Sequence, residues 1–131
     1  MSPLYYQEVD VTVSWDSRNK WISVDWRNSP SAETVRKGCD EIFALLVRQK
    51  ATAVLNDNSR VTGSWVGASN WVAEEWFPRM IARGLKKFAW IESPTSTLSV
   101  ISAKRSVRRN QAGVIRLFQD GLEAEKWLRG G

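Results

Sequence analysis

Histidine is absent from this sequence of 131 residues, and cysteine occurs only once, as Cys39. The missing histidine removes the commonest general base and the commonest metal ligand. One cysteine cannot complete the four nitrogen or sulfur ligands of a structural zinc site, and a Ser-His-Asp hydrolase needs the histidine. The sequence therefore predicts no metal, no cofactor and no catalytic residues of these kinds.

Long apolar runs are also missing, since none approaches the roughly 20 residues that cross a bilayer. The first eight residues lack the basic start and apolar stretch of a secretion signal. The single cysteine cannot form an internal disulfide. We therefore expect a cytoplasmic protein without membrane insertion.

Tryptophan is abundant, with eight residues in a chain that is 43% hydrophobic and 25% charged. This balance predicts one globular domain over residues 1–131, and tryptophan beyond the needs of its core suits an interface. The net charge of +5 permits anionic partners without requiring them. No nucleic-acid partner is expected, because no fold signature or face of interleaved basic and aromatic residues is present.

Hydrophobic periodicity predicts an α/β domain with the element order ββαβαβαβα. The predicted strands lie at residues 8–15, 21–26, 52–55, 88–91 and 114–118, and the predicted helices at 30–50, 68–83, 96–109 and from 121 onward. Strands separated by helices imply mainly parallel pairing through right-handed crossovers, and the opening hairpin adds an antiparallel edge. The prediction is a mixed, mostly parallel sheet flanked by helices.

Local signals refine three helices and one loop. Ser29 is predicted to cap the first helix, with Pro30 in its first turn. Pro78 should kink or split the second helix near Phe77, and Asp120 should cap the last one. Residues 56–64 are predicted to form a polar loop after the central strand.

Three segments resemble the SpoIIAA-like branch of the STAS/SEC14-type domains, where STAS denotes sulfate transporter and anti-sigma factor antagonist. They are the strand, loop and helix start at residues 53–67, the segment 84–91, and the ending formed by 114–118 with 123–128. The resemblance covers nearly the whole chain, as element order and short patterns. It implies a small mixed sheet flanked by helices, without a cofactor and without established catalysis.

The same resemblance directs attention to Ser64. Anti-sigma antagonists of this class carry a phosphorylatable serine in an Asp-Ser-Ser-Gly-type motif, at the start of the helix after the central strand. Here residues 61–67 contain no Asp-Ser pair, and the bulky Trp65 follows Ser64 where the motif has a small residue. Ser64 is therefore a candidate phosphoacceptor in a sequence that departs from the motif.

A candidate binding site follows the central strand, because ligands of open α/β sheets bind at the carboxyl ends of strands, near helix N-termini. The candidate contacts to a ligand or partner are Asn56, Asp57, Asn58, Arg60, Ser64, Trp65, Asn70 and Trp71. A polar loop rimmed by aromatics offers apolar area with a few directed contacts. Alternatively, these polar residues only shape a turn and the tryptophans belong to the core, an interpretation that we favour for Trp76.

A second candidate surface is basic. Arg105, Arg108 and Arg109 share one arc of the predicted third helix, opposite its apolar stripe. They could contact an anion or an acidic partner, although a solvated helix face explains them as well.

These features predict a non-enzymatic binding or regulatory module that acts through protein–protein or small-ligand contacts. The partner is unidentified, and a second copy of the chain, giving a homodimer, is one candidate. A first alternative is a carrier of a small apolar ligand. Its pocket would be lined by Trp65, Trp71, Trp76 and Phe77.

A second alternative is an enzyme that uses carboxylates alone. Asp57 would act together with Glu74 or Glu75. A deep cleft that holds two close carboxylates would favour this alternative over a binding module.

Overall fold

The computed structural model describes residues 4–63, 66–94 and 113–130, with backbone alone at 66, 67 and 69. Its strands are β1 (Leu4–Glu8), β2 (Val11–Asp16), β3 (Trp21–Asn28), β4 (Ala53–Val61), β5 (Lys87–Ile91) and β6 (Ile115–Phe118). Its helical segments are α1 (Ala32–Gln49), α2 (Val66–Trp71), a π-helical segment (Val72–Trp76), α3 (Phe77–Ala82) and α4 (Gly121–Leu128). These elements form one α/β domain.

The six strands form one mixed sheet in which the spatial order equals the sequence order. β1, β2 and β3 pair antiparallel, and β3 to β6 pair parallel. The prediction of an antiparallel edge on a mostly parallel sheet agrees with this arrangement.

The described chain begins with three strands, so the predicted order with two strands before the first helix is wrong at this point. β1 is a short edge strand whose side chains are exposed or half-buried, and it therefore lacks a strong hydrophobic alternation. Val9 belongs to the predicted strand at residues 8–15, but it lies in the turn between β1 and β2 and is 80% exposed. The buried residues of that strand begin at Val11 and Val13.

Helix α1 begins two residues later than predicted. The side chain of Ser31, rather than that of Ser29, accepts a hydrogen bond from the backbone N–H of Thr34. Pro30 precedes this cap and is buried. The helix ends at Lys50, which adopts a left-handed conformation with φ of 52° and donates its N–H to carbonyls of the last turn.

The prediction that Pro78 disturbs the second helix is confirmed. Proline cannot donate the backbone hydrogen bond of a regular helix, and a π-helical segment ends two residues before it, at Trp76. Pro78 then lies in the first turn of α3. The predicted cap of the last helix is also confirmed, since the Asp120 side chain accepts from the N–H of Leu122 at 3.0 Å.

Different helices cover the two faces of the sheet. α1 and the helical segments from α2 to α3 pack on one face around the main core, in which Ile22, Ile42 and Phe77 are fully buried. α4 packs on the opposite face, where Ala124 contacts Ala89 and Ile91. The main core therefore lies between the sheet and the helices α1 to α3.

Some predictions fall outside the described residues. They concern the helix at 96–109 with Arg105, Arg108 and Arg109, and the loop residues Ser64 and Trp65. Among the described helices, none has the length and apolar character needed to span a membrane.

Candidate functional site

Residues 56–61 continue strand β4, so the prediction of a polar loop from residue 56 is wrong. Val54, Asn56 and Asn58 alternate with partly exposed residues and point to the face that α1 to α3 cover. In the sheet, Asn56 pairs with Val24 of β3 and with Trp90 of β5. Two asparagines therefore lie in the core, each 5% exposed or less.

β4 contains a bulge at the position of Asn58. Asp25 pairs with Asp57, but Arg27 pairs with Arg60, so β4 has one more residue than β3 between these pairs. The extra residue changes which side chains face inward, and Val61 is the next buried residue after Asn58. The Asp57 carboxylate accepts the N–H of Ser59 at 2.8 Å. Bulges leave a backbone group unpaired, and Asp57 satisfies one here.

A cavity of about 40 Å³ lies between this part of the sheet and the helices. On the sheet side it is lined by Trp26, Asn56, Asn58, Val61, Phe88 and Trp90. On the helix side it is lined by Pro30, Val35, Cys39, Val72, Trp76 and Phe77. The walls are mainly apolar, and their polar groups include the amides of Asn56 and Asn58 and the indole N–H groups of the three tryptophans.

The polar side chains of the cavity form a directed chain of hydrogen bonds. Trp26 Nε1 donates to Asn56 Oδ1 at 2.8 Å. Asn56 Nδ2 then donates to Asn58 Oδ1 at 3.1 Å. A buried amide is tolerated when its polar atoms are paired, and this chain pairs three of the four side-chain atoms of the two asparagines.

Aromatic rings form much of the remaining wall. Phe77 and Phe88 have centroids 5.0 Å apart at 75°, and Trp76 meets Phe88 edge to face at 5.7 Å. Trp76 is 2% exposed, which confirms its assignment to the core, and its Nε1 donates to the Cys39 carbonyl at 2.8 Å. This hydrogen bond connects the π-helical segment to α1, and both of its residues line the cavity.

A close approach between α1 and β3 places the Trp26 ring. A Cβ atom at Gly38 would lie only 2.6 Å from Trp26 Cη2, so glycine at this position makes room for the indole. The ring is thereby held beside α1, with its N–H directed at Asn56.

Cys39 lines the cavity as a neutral thiol. Burial raises the pKa of the Cys39 thiol well above its ordinary value, and the Asp40 carboxylate raises it further. A thiol needs its deprotonated form to act as a nucleophile. Cys39 therefore contributes a small apolar surface to the cavity wall.

The opposite face of the sheet carries a separate polar group of residues. The Asp25 carboxylate pairs with Arg27 at 2.8 Å and also with Arg60. Arg27 further donates to the carbonyls of Glu8 and Val9, at 3.0 and 3.3 Å. These contacts join β1, β3 and β4 at the surface, and Arg60 takes part in them rather than in the cavity.

The structure thus separates the residues that were predicted to form one binding surface. Among the described ones, Asn56 and Asn58 both line the cavity. Asp57 accepts a hydrogen bond within the bulge, and Arg60 pairs with Asp25 on the opposite face. Asn70 is exposed. Trp71 is half-buried beneath the Arg36 guanidinium, 5.1 Å from its ring centroid.

The carboxylates proposed for catalysis are also apart. Asp57 shares a shallow depression on the opposite face with Ser23 and Asp25. Glu74 and Glu75 are exposed on the π-helical segment, which packs on the helix-covered face. The described residues therefore do not assemble Asp57 with either glutamate, and they include no group of three or more histidine, cysteine or acidic residues suited to a metal ion.

Trp26, Phe88 and Trp90 were not among the predicted site residues. The alternation around Trp26 and the apolar run at residues 88–91 correctly indicated strands, but a strand pattern does not reveal which helix covers the strand. The period-two spacing of Val54, Asn56 and Asn58 was the available signal, and the turn preference of asparagine masked it. Comparison with models of known protein families and with characterised proteins finds no match.

Proposed function

We propose that this protein is a non-enzymatic binding module whose cavity, between the sheet and the helices α1 to α3, takes a small and mainly apolar ligand. The observation that carries the proposal is the cavity of about 40 Å³ with apolar walls and two oriented amides. Small-molecule sites are typically concave and apolar, with few polar groups that orient the ligand.

The volume limits the size of the ligand. A cavity needs about 10–15 Å³ to hold one water molecule, so this one has room for about three water-sized groups. Clefts for drug-sized molecules reach about 300–1,000 Å³. The ligand, or the part of a larger ligand that enters, therefore has about three non-hydrogen atoms.

Relationship to the SpoIIAA-like branch of the STAS/SEC14-type domains belongs to the same proposal, together with a cytoplasmic location and action on a partner. The mixed sheet flanked by helices supports it, as do the three sequence segments given above. Within this proposal Ser64 stays a candidate phosphoacceptor. Arg105, Arg108 and Arg109 stay candidate anion contacts.

Xenon tests the cavity directly, because it binds apolar cavities without needing hydrogen bonds. We expect saturable shifts of the indole Nε1–H signals of Trp26 and Trp76 in NMR spectra recorded under xenon. Cys39→Met places a longer side chain in the cavity and should weaken binding by about tenfold or more. Leu45→Met is the matched control, since Leu45 is buried on the same helix but does not line the cavity.

The control should bind xenon within about twofold of the unchanged protein. Thermal melting shows whether both variants are folded, and competition between xenon and propane tests for a single site without any substitution. The absence of a saturable shift, or equal binding by a folded Cys39→Met variant, would refute the proposal.

A further inference from the structure

The orientation of the two asparagine amides follows from Trp26. An indole N–H can only donate, so the Asn56 atom that meets it at 2.8 Å must be the oxygen. Asn56 therefore turns its Nδ2 to Asn58, and the atom that meets Nδ2 at 3.1 Å must be the Asn58 oxygen. The nitrogen of Asn58 is left at the end of the chain.

The terminal Nδ2 of Asn58 donates to no acceptor in the described part of the chain. Asn58 is 5% exposed and lines the cavity. Its Oδ1 accepts from Asn56, but no described acceptor receives a hydrogen bond from its Nδ2. Asn58 continues the inward alternation of Val54 and Asn56, which places this donor at the cavity wall.

The surroundings favour a neutral ligand without a donor of its own. None of the residues that line the cavity carries a charge at neutral pH, and burial of an unpaired ion is strongly unfavourable. Two nearby acceptors already have a donor. Asn56 Oδ1 accepts a hydrogen bond from Trp26 Nε1, and the Cys39 carbonyl accepts one from Trp76 Nε1. An acceptor is therefore the group that the described part of this site does not offer to Asn58 Nδ2.

We propose that the ligand is a small neutral molecule that presents an oxygen acceptor, of the carbonyl or ether kind, to Nδ2 of Asn58. Its apolar part lies against the rings of Trp76, Phe77 and Phe88. This inference rests on the proposed function and adds to it the chemical class of the ligand.

Dimethyl ether and propane test the inference, because each has three non-hydrogen atoms and they differ mainly in the oxygen. NMR titration gives the ratio of their dissociation constants. When Asn58→Leu removes the donor, we expect the affinity for dimethyl ether to fall about tenfold relative to the affinity for propane. Asn56→Leu should act in the same direction, because Asn56 is a positioning residue for Asn58, whereas the exposed Asn70→Leu should leave the ratio unchanged.

A second readout needs no substitution. The Nδ2 signals of Asn58 should move on saturation with dimethyl ether and stay in place with propane. Binding of both gases with an unchanged ratio in a folded Asn58→Leu variant and no distinct Nδ2 shift would overturn the inference while leaving the proposed function intact. Binding of neither gas would refute the proposed function itself. Retention of water on Nδ2 at ether saturation would show a hydrated donor only, and would also overturn the inference.

Discussion

Asn56 and Asn58 show how polar side chains are accommodated in an apolar core. Each hydrogen bond in the chain from Trp26 contributes about 0.5–1.5 kcal/mol, whereas a buried polar group left without a partner costs about 1–3 kcal/mol. The donor Trp26 thus stabilises two amides on a neighbouring strand, and Gly38 permits its position beside α1. Loss of one member of such a chain affects the orientation of the others.

Because of Cys39, the free energy of unfolding should decrease in alkaline solution. Burial raises the pKa of this thiol in the folded state above its ordinary value of 9.0. Above that pH the unfolded chain releases a proton that the folded chain retains, so the free energy of unfolding falls as pH rises towards the folded pKa. The contribution to the slope approaches about 1.4 kcal/mol per pH unit. Urea unfolding from about pH 8, below the ordinary pKa, to about pH 10.5, above it, measures this slope.

Cys39→Ala is the control for this measurement, because lysines and tyrosines titrate in both proteins. The difference in unfolding free energy between the two proteins should be constant below pH 9.0 and should then shrink. Two parallel curves up to pH 10.5, about one and a half units above the ordinary pKa, would contradict the raised pKa.

At the scale of single elements, strand β4 combines two tasks. Its first part forms ordinary parallel ladders with β3 and β5. Its bulge then shifts the alternation, so that Val61 rather than Arg60 is the next residue after Asn58 to face the helices. Bulges of this kind often lie next to functional sites because they aim a side chain that a regular strand would place elsewhere.

Asp57 should stabilise this bulge through its hydrogen bond to the N–H of Ser59. We expect Asp57→Ala to lower the free energy of unfolding by about 1–2 kcal/mol, because the N–H loses its acceptor. Asp57→Asn keeps an oxygen at the same place and should lose less than half of that amount. Denaturant unfolding of both variants measures the difference, and equal losses would show that the charge, rather than the acceptor, matters.

The same strand explains how far the sequence predicts the structure. The periodic spacing of apolar residues correctly indicated α1, β2 and β3, because burial on one face imposes that spacing. The short apolar run at residues 88–91 correctly indicated β5, which is buried on both faces. In β4 the local turn preference of asparagine and aspartate was overridden by pairing with two neighbouring strands. The residues that line the cavity were harder to predict than the strands. Trp26 and Phe88 line it because of the order of the strands and the position of the helices, and no local sequence pattern contains this information.

For the whole molecule, the sheet sets a gradient of local stability from its centre to its edges. β4 is hydrogen-bonded on both sides and covered by helices on both faces, whereas β1 is an edge strand with largely exposed side chains. Regions with few buried contacts open more readily than the core.

Amide hydrogen exchange should therefore be slowest in β4 and fastest, among the described strands, in β1. NMR or mass spectrometry measures both in one experiment. Protection of β1 equal to that of β4 would contradict the gradient in the single chain. A dependence of that protection on protein concentration would instead indicate that a second copy pairs with this edge.

The identity of spatial and sequential strand order has a consequence for synthesis of the chain on the ribosome. Each strand from β1 to β6 joins the edge that the preceding strand has left open, and no described strand inserts between two earlier ones. A growing chain can therefore keep every pairing it has already made, because later segments add to the sheet without separating it. Since nascent domains fold as the chain emerges, we expect the antiparallel strands β1 to β3 to form the first template, on which α1 and β4 then assemble.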